Sequence, residues 1–234
     1  MQELKVKGSV VNKVYGTESP EGQKAIERLL GADVIASIMK RYPVGVWCLG
    51  LDKSIKTASE WNKLDQSQGV LVVTENTAFV VAPHASVALQ WGPADTSNKY
   101  TIKDESSFDS KAATDAIVAA YNDSRYSSTS GKIYDVYGAP AAEWCRQYAH
   151  GNILAGEWDL PTVAQLKVMS ENRDEINECF MAMGGYRLTP GWYWSSIEKD
   201  ESVARCVYMS NGYVNLDYKK YYYYVRAVSA FPVE

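Results

Sequence analysis

The chain has 234 residues, of which 46% are hydrophobic, enough for one large core or two modest ones. A formal net charge of −4 leaves no basic footprint for nucleic acid, and no run of about 18 apolar residues exists to span a membrane. The opening residues Met1 to Lys7 alternate charged with apolar side chains and lack the apolar centre of a signal peptide. Either export does not use that route or a leader has been removed.

Residues 1–18 read as a short polar strand and a loop. Ser19 suits an N-cap and Pro20 the first helical position, so a helix is predicted from there. Ala25, Ile26, Leu29, Leu30, Val34, Ile35, Ile38 and Met39 form its apolar stripe, Gly31 is a candidate break, and Pro43 ends it. Residues 1–43 are therefore assigned to an N-terminal strand and helix segment, and residues 44–234 to the main domain. Val44 to Leu51 is an apolar run. Gly69–Thr74 and Ala78–Ala82 flank Glu75-Asn76-Thr77 and predict a hairpin. A polar loop covers 92–110, and a helix follows from Lys111 to Tyr121. Residues 122–131 are rich in Ser, Asn and Asp and predict a surface loop.

Ala139–His150 predicts a second helix. Thr162 and Gln165 have capping-box spacing and open a third, expected to run to about Cys179. From Gly184 the pattern changes to short strands. Val203–Met209 alternates, Asn211-Gly212 is a strong two-residue hairpin signal, and Tyr213–Leu216 starts the return strand. Tyr223–Ala230 reads as one last strand. The fold class is α+β, with the two β regions expected to meet in a single mixed antiparallel sheet flanked by helices.

Chemistry-bearing residues are sparse. Cys48, Cys145, Cys179 and Cys206 are widely spaced among apolar neighbours, without a C-x-x-C pair, and read as buried thiols rather than a zinc site. A disulfide stays open. His84 and His150 have no catalytic motif around them. Glu198, Asp200 and Glu201 read as a solvated charged loop, and Trp194, Ser195 and Ser196 as core. No phosphate-cradling glycine motif is present. No cofactor, metal or catalytic residue is expected.

Tyrosine is the unusual quantity: 17 residues against 4 phenylalanines. Its rigid ring and polar tip make it a frequent recognition residue. Many lie near the C-terminus. On a strand, period two sends Val214 and Leu216 to one face and Tyr213, Asn215 and Asp217 to the other, with Val207 inward and Tyr208 outward. Four consecutive tyrosines, Tyr221 to Tyr224, cannot all be buried with satisfied hydroxyls. The candidate ligand-binding residues are Tyr193, Tyr208, Ser210, Tyr213, Asn215, Asp217, Tyr218, Lys220, Tyr221, Tyr222 and Tyr223, within a segment of about 190–225.

A series of short motifs occurs in order: Trp158-Asp159-Leu160-Pro161-Thr162, Gln165-Leu166, Glu175-Ile176-Asn177, Gly184-Gly185, Tyr193-Trp194-Ser195-Ser196, Asn211-Gly212 and Tyr224-Val225-Arg226-Ala227-Val228. Over 158–231 the chain resembles the bacterial and phage C-type-lectin-like domains that include the variable proteins of diversity-generating retroelements. The resemblance extends more loosely back to about residue 44. It implies a C-type-lectin-like fold and a C-terminal binding face whose codons, rewritten at adenines, often yield Tyr, Asn, Ser and Asp. Ile197 stands where the family usually has Thr, and Arg205 where an aromatic residue is common. The sugar-binding tripeptides, calcium ligands and paired cysteines of animal C-type lectins are missing, so the resemblance carries fold and not calcium-dependent sugar binding.

The function expected is therefore non-enzymatic binding of a protein or cell-surface ligand, on a phage virion or a bacterial surface. One alternative is a structural subunit whose tyrosines pack between copies. The other is an oxidase of the formylglycine-generating type, for which Cys145 and Cys206 lack a recognisable activating neighbourhood.

Overall fold

The computed structural model describes residues 42–75, 77–84, 87–93, 104–121 and 138–230. The strand and helix expected over 1–41, and the loop segments over 94–103 and 122–131, lie outside the described residues.

In chain order the described elements are β1 (Gly45–Gly50), β2 (Ile55–Lys56), β3 (Ser67–Val73), β4 (Ala78–Val81), β5 (Val87–Leu89), α1 (Ser110–Tyr121), α2 (Pro140–Gln147), α3 (Val163–Glu171) and α4 (Arg173–Met183). They continue with β6 (Trp192–Glu198), β7 (Val203–Tyr208), β8 (Tyr213–Tyr218), β9 (Tyr223–Val225) and β10 (Val228–Ala230). The α+β class stands, but the strands form two five-stranded sheets rather than one. The first has the order β10-β4-β3-β1-β2 and the second β5-β9-β6-β7-β8.

The first sheet explains its own sequence. Val70-Leu71-Val72-Val73 and Phe79-Val80-Val81 are apolar at every position because both faces are covered. Leu71, Val73 and Val80 join one buried cluster with Ile117 of α1 and Ala141, Ala142 and Cys145 of α2. Val70, Val72, Phe79 and Val81 join the other with Leu166 and Met169 of α3 and Ile176, Cys179 and Phe180 of α4. The second sheet divides the same way. Trp194, Cys206 and Val225 go to the first cluster, and Tyr193, Val207 and Met209 to the second. Alternation along each strand thus distributes side chains between two helix pairs.

The expected last strand is broken. Tyr223–Val225 belongs to the second sheet and Val228–Ala230 to the first. Arg226 occupies the crossing. It is fully buried and donates to the carbonyls of Ala82 (2.9 Å), Tyr186 (2.8 Å) and Arg187 (3.2 Å), with its guanidinium over the Phe180 ring. Burial lowers its pKa to about 10.

The third helix is also two. The capping box forms as expected, Gln165 N–H donating to Thr162 Oγ1 (3.2 Å) and Thr162 N–H to Gln165 Oε1 (2.9 Å). Asn172 then ends α3 by donating from its side chain to the Val168 carbonyl (2.8 Å), a local bond that competes with helix continuation. Gly184, at φ 74°, closes α4. The hairpin at Asn211-Gly212 is four residues long, not two. Tyr208 pairs with Tyr213, buried Met209 pulls the turn inward, and Asn211 Oδ1 accepts from Tyr213 N–H at 3.1 Å.

The edge of the second sheet as a candidate binding face

Strand β8 is an edge strand, and none of its six residues is fully buried. Register makes one row across three strands: Trp192 of β6 opposes Tyr208 of β7, which opposes Tyr213 of β8. The ring centroids of Trp192 lie 5.1 Å from Tyr208 and 6.1 Å from Tyr213. The next row, Trp194, Cys206 and Asn215, has a small residue in its middle. The Tyr223 ring from β9 lies beside it, stacked 6.2 Å from Trp192 and tilted 4.7 Å from Trp194. Its hydroxyl donates to Asp217 Oδ2. Burial and the Asp217 carboxylate push the Tyr223 phenol pKa well up, so it stays a donor.

The turn after β8 extends this face and is held from below. Lys219 is fully buried. Its ammonium donates to Glu198 Oε1 and to the Glu201 carbonyl (2.9 Å) and lies over the rings of Trp91 and Tyr121. Tyr121 donates its hydroxyl to the same Glu198 oxygen. Burial raises the Glu198 carboxyl and lowers the Lys219 ammonium, each opposed by the other's charge. The backbone is tied too. Trp91 N–H donates to the Lys219 carbonyl (2.9 Å) and Gln90 Nε2 to the Lys220 carbonyl (3.0 Å). From this pinned turn Lys220, Tyr221 and Tyr222 project outward, with Tyr222 61% exposed. Tyr218 meets Tyr221 edge-on at 5.7 Å, and the Lys220 ammonium lies 5.2 Å from the Tyr218 ring centroid.

Of the expected site residues, Ser210, Tyr213, Tyr218, Lys220, Tyr221 and Tyr222 are exposed, and Tyr208, Asn215, Asp217 and Tyr223 half-buried. Tyr193 is a correction. It is fully buried on the opposite face, its hydroxyl accepting from Thr189 N–H at 3.1 Å, because it falls between two tryptophans in a strand of period two. Trp192, central to the aromatic row, is not among the expected residues. Carrying the same alternation back through Trp192-Tyr193-Trp194 finds it. Glu198 is a second correction, buried rather than solvated because Lys219 enters the core to meet it. Along β8, Val214 packs on the second cluster as expected.

The face offers stacking surface, hydroxyl donors and acceptors, an amide and one exposed ammonium. Cys206 lies beneath this face, and burial and the nearby Asp217 carboxylate push its thiol up to about 12. Among the described residues no group of three or more His, Cys, Asp or Glu is arranged to hold a metal. Nor is any described helix long and apolar enough to cross a membrane.

No family model matches the chain, and no curated protein does. Among solved structures, a fimbrial protein from Bacteroides ovatus is similar, with a TM-score of 0.56 at 13% sequence identity over 80% of this chain. The chain spans about half of that protein, 48% of its length, and at this identity the likeness is one of fold.

Proposed function

We propose that this chain is a non-catalytic binding module of a cell-surface or virion protein, and that it grips a protein or cell-surface ligand through the outer face of β7, β8 and the following turn. The observation that carries the reading is the aromatic row Trp192, Tyr208 and Tyr213, continued by Tyr218, Tyr221 and Tyr222 on a turn anchored through Lys219. Contiguous exposed aromatic surface is a cost to a protein that does not use it, and rigid tyrosines lose little freedom on binding. A C-type-lectin-like scaffold, with a C-terminal stretch of Tyr, Asn, Ser and Asp of the kind diversified by retroelements, is the finer form of this proposal. A near-repeat of the coding segment beside a reverse transcriptase gene would support that form, and its absence would leave only undiversified binding.

The test is a triple replacement, Tyr213→Ala, Tyr221→Ala and Tyr222→Ala, compared with wild type for binding to immobilised glycans, matrix proteins and whole bacterial and host cells. The reading expects at least a tenfold loss of binding with an unchanged melting temperature. Equal binding by both proteins to every target that wild type recognises would end it. A second reading, a structural surface subunit, is favoured by the likeness to a fimbrial protein and by the open β8 edge. It expects the same variant to shift the assembly state in sedimentation rather than ligand binding.

A further inference from the structure

Two of the four cysteines are neighbours in one core. Cys48, on β1, and Cys179, on α4, belong to one buried cluster, and α4 packs directly on β1. The Cys48 thiol lies 3.9 Å from the Cys179 carbonyl oxygen and donates to it. Cys145 and Cys206 belong to the other cluster.

We propose that Cys48 and Cys179 are a specific disulfide-forming pair, oxidised by a low-molecular-weight disulfide such as glutathione disulfide while β1 and α4 come together in folding. The thiolate of one cysteine attacks the oxidant, forming a mixed disulfide and releasing one small thiol. The second thiolate then attacks the protein sulfur of that mixed disulfide and releases the other small thiol. Two protein thiols are oxidised, one small disulfide is reduced to two thiols, and the protein's two protons end on those thiols. The timing follows from burial. In the folded chain Cys48 is 0% and Cys179 3% exposed, so an oxidant reaches them only before the helix is seated.

Three features favour the bond once the sulfurs meet. The surroundings, Val70, Val72, Ile176 and Phe180, are apolar and accept a disulfide without leaving a polar group unsatisfied. The interaction given up is a weak thiol hydrogen bond. The cysteines are 131 residues apart, so the closed loop is long and constrains the unfolded chain strongly. Closing the bond brings the sulfurs to about 2.0 Å, which side-chain rotation must supply. The pair joins α4 to the first sheet, away from the aromatic face, so the inference stands apart from the ligand-binding reading.

The experiment is refolding of the full chain in a glutathione redox buffer, an acid quench, alkylation under denaturing conditions and mass spectrometry. The expected result is alkylation of Cys145 and Cys206 only, with a peptide linking Cys48 to Cys179. The oxidised chain should melt several degrees above the reduced one. In Cys48→Ser that difference should vanish while Cys179 becomes alkylated. Four alkylated thiols after refolding, or a link through Cys145 or Cys206, overturns the proposal.

Discussion

Strands β3 and β8 differ in kind. In β3 every residue after Ser67 is buried, and the valines and Leu71 feed two cores at once. In β8 no residue is fully buried: Tyr213 and Tyr218 at its ends are exposed, and the four residues between them are half-buried. The first strand is a partition between helix pairs. The second is a platform left partly open along its whole length. Where a strand is covered on both sides its sequence loses alternation, and in β8 alternation returns, with Val214 and Leu216 between Tyr213, Asn215 and Asp217.

The sharpest test of this contrast is the point where the platform enters the core. Lys219→Ala leaves Glu198 buried without its ammonium partner, an expected loss of about 3–5 kcal/mol in urea unfolding. A loss below about 1 kcal/mol would mean that the turn after β8 is not anchored there. The contrast itself is broken or kept by a pair of truncations. Leu71→Ala should cost about 2–5 kcal/mol. Tyr213→Ala, at a residue 60% exposed, should change stability by about 0.5 kcal/mol or less. Equal costs in chemical denaturation would erase the distinction between partition and platform.

A finer test lies at Asp159, which bridges to Val228 of the first sheet and sits 2.8 Å from the Arg146 guanidinium. Burial raises its carboxyl from 3.8 to about 6 against the pull of Arg146. The folded chain therefore keeps a proton that the unfolded chain releases. The resulting stability is present below 3.8 and is lost as pH climbs through about 6. Asp159→Asn should remove that slope. The stability difference between wild type and variant should change by about 2–3 kcal/mol between roughly pH 4 and pH 7. A pH-independent difference would rule out a protonated Asp159 in the folded state.

Much of this architecture is legible in the sequence because it is local. The β3–β4 hairpin, the capping box at Thr162 and the Val207-in, Tyr208-out alternation follow from residues within a few positions of each other. What stays hidden depends on partners far along the chain. Nothing in the run Tyr224-Val225-Arg226 requires a strand to break there; the break comes from the carbonyls of Ala82 and Tyr186 claiming the guanidinium. In the sequence Lys219 is one of two adjacent lysines with no mark of burial, and only the fold brings Glu198 and Tyr121 to it. Tyr193 is misplaced when read by composition, although the period-two rule applied to its neighbours turns it inward.

The split between β9 and β10 has a temporal consequence. β9 pairs with β5, and β10 with β4, so both sheets are closed by residues emerging from the ribosome more than a hundred positions after their partners. During synthesis β4 and β5 therefore wait with open edges, and neither sheet is complete until the closing strands arrive. Nascent chains halted before Tyr223 should be the ones that recruit holdase chaperones, with release following once translation passes Ala230.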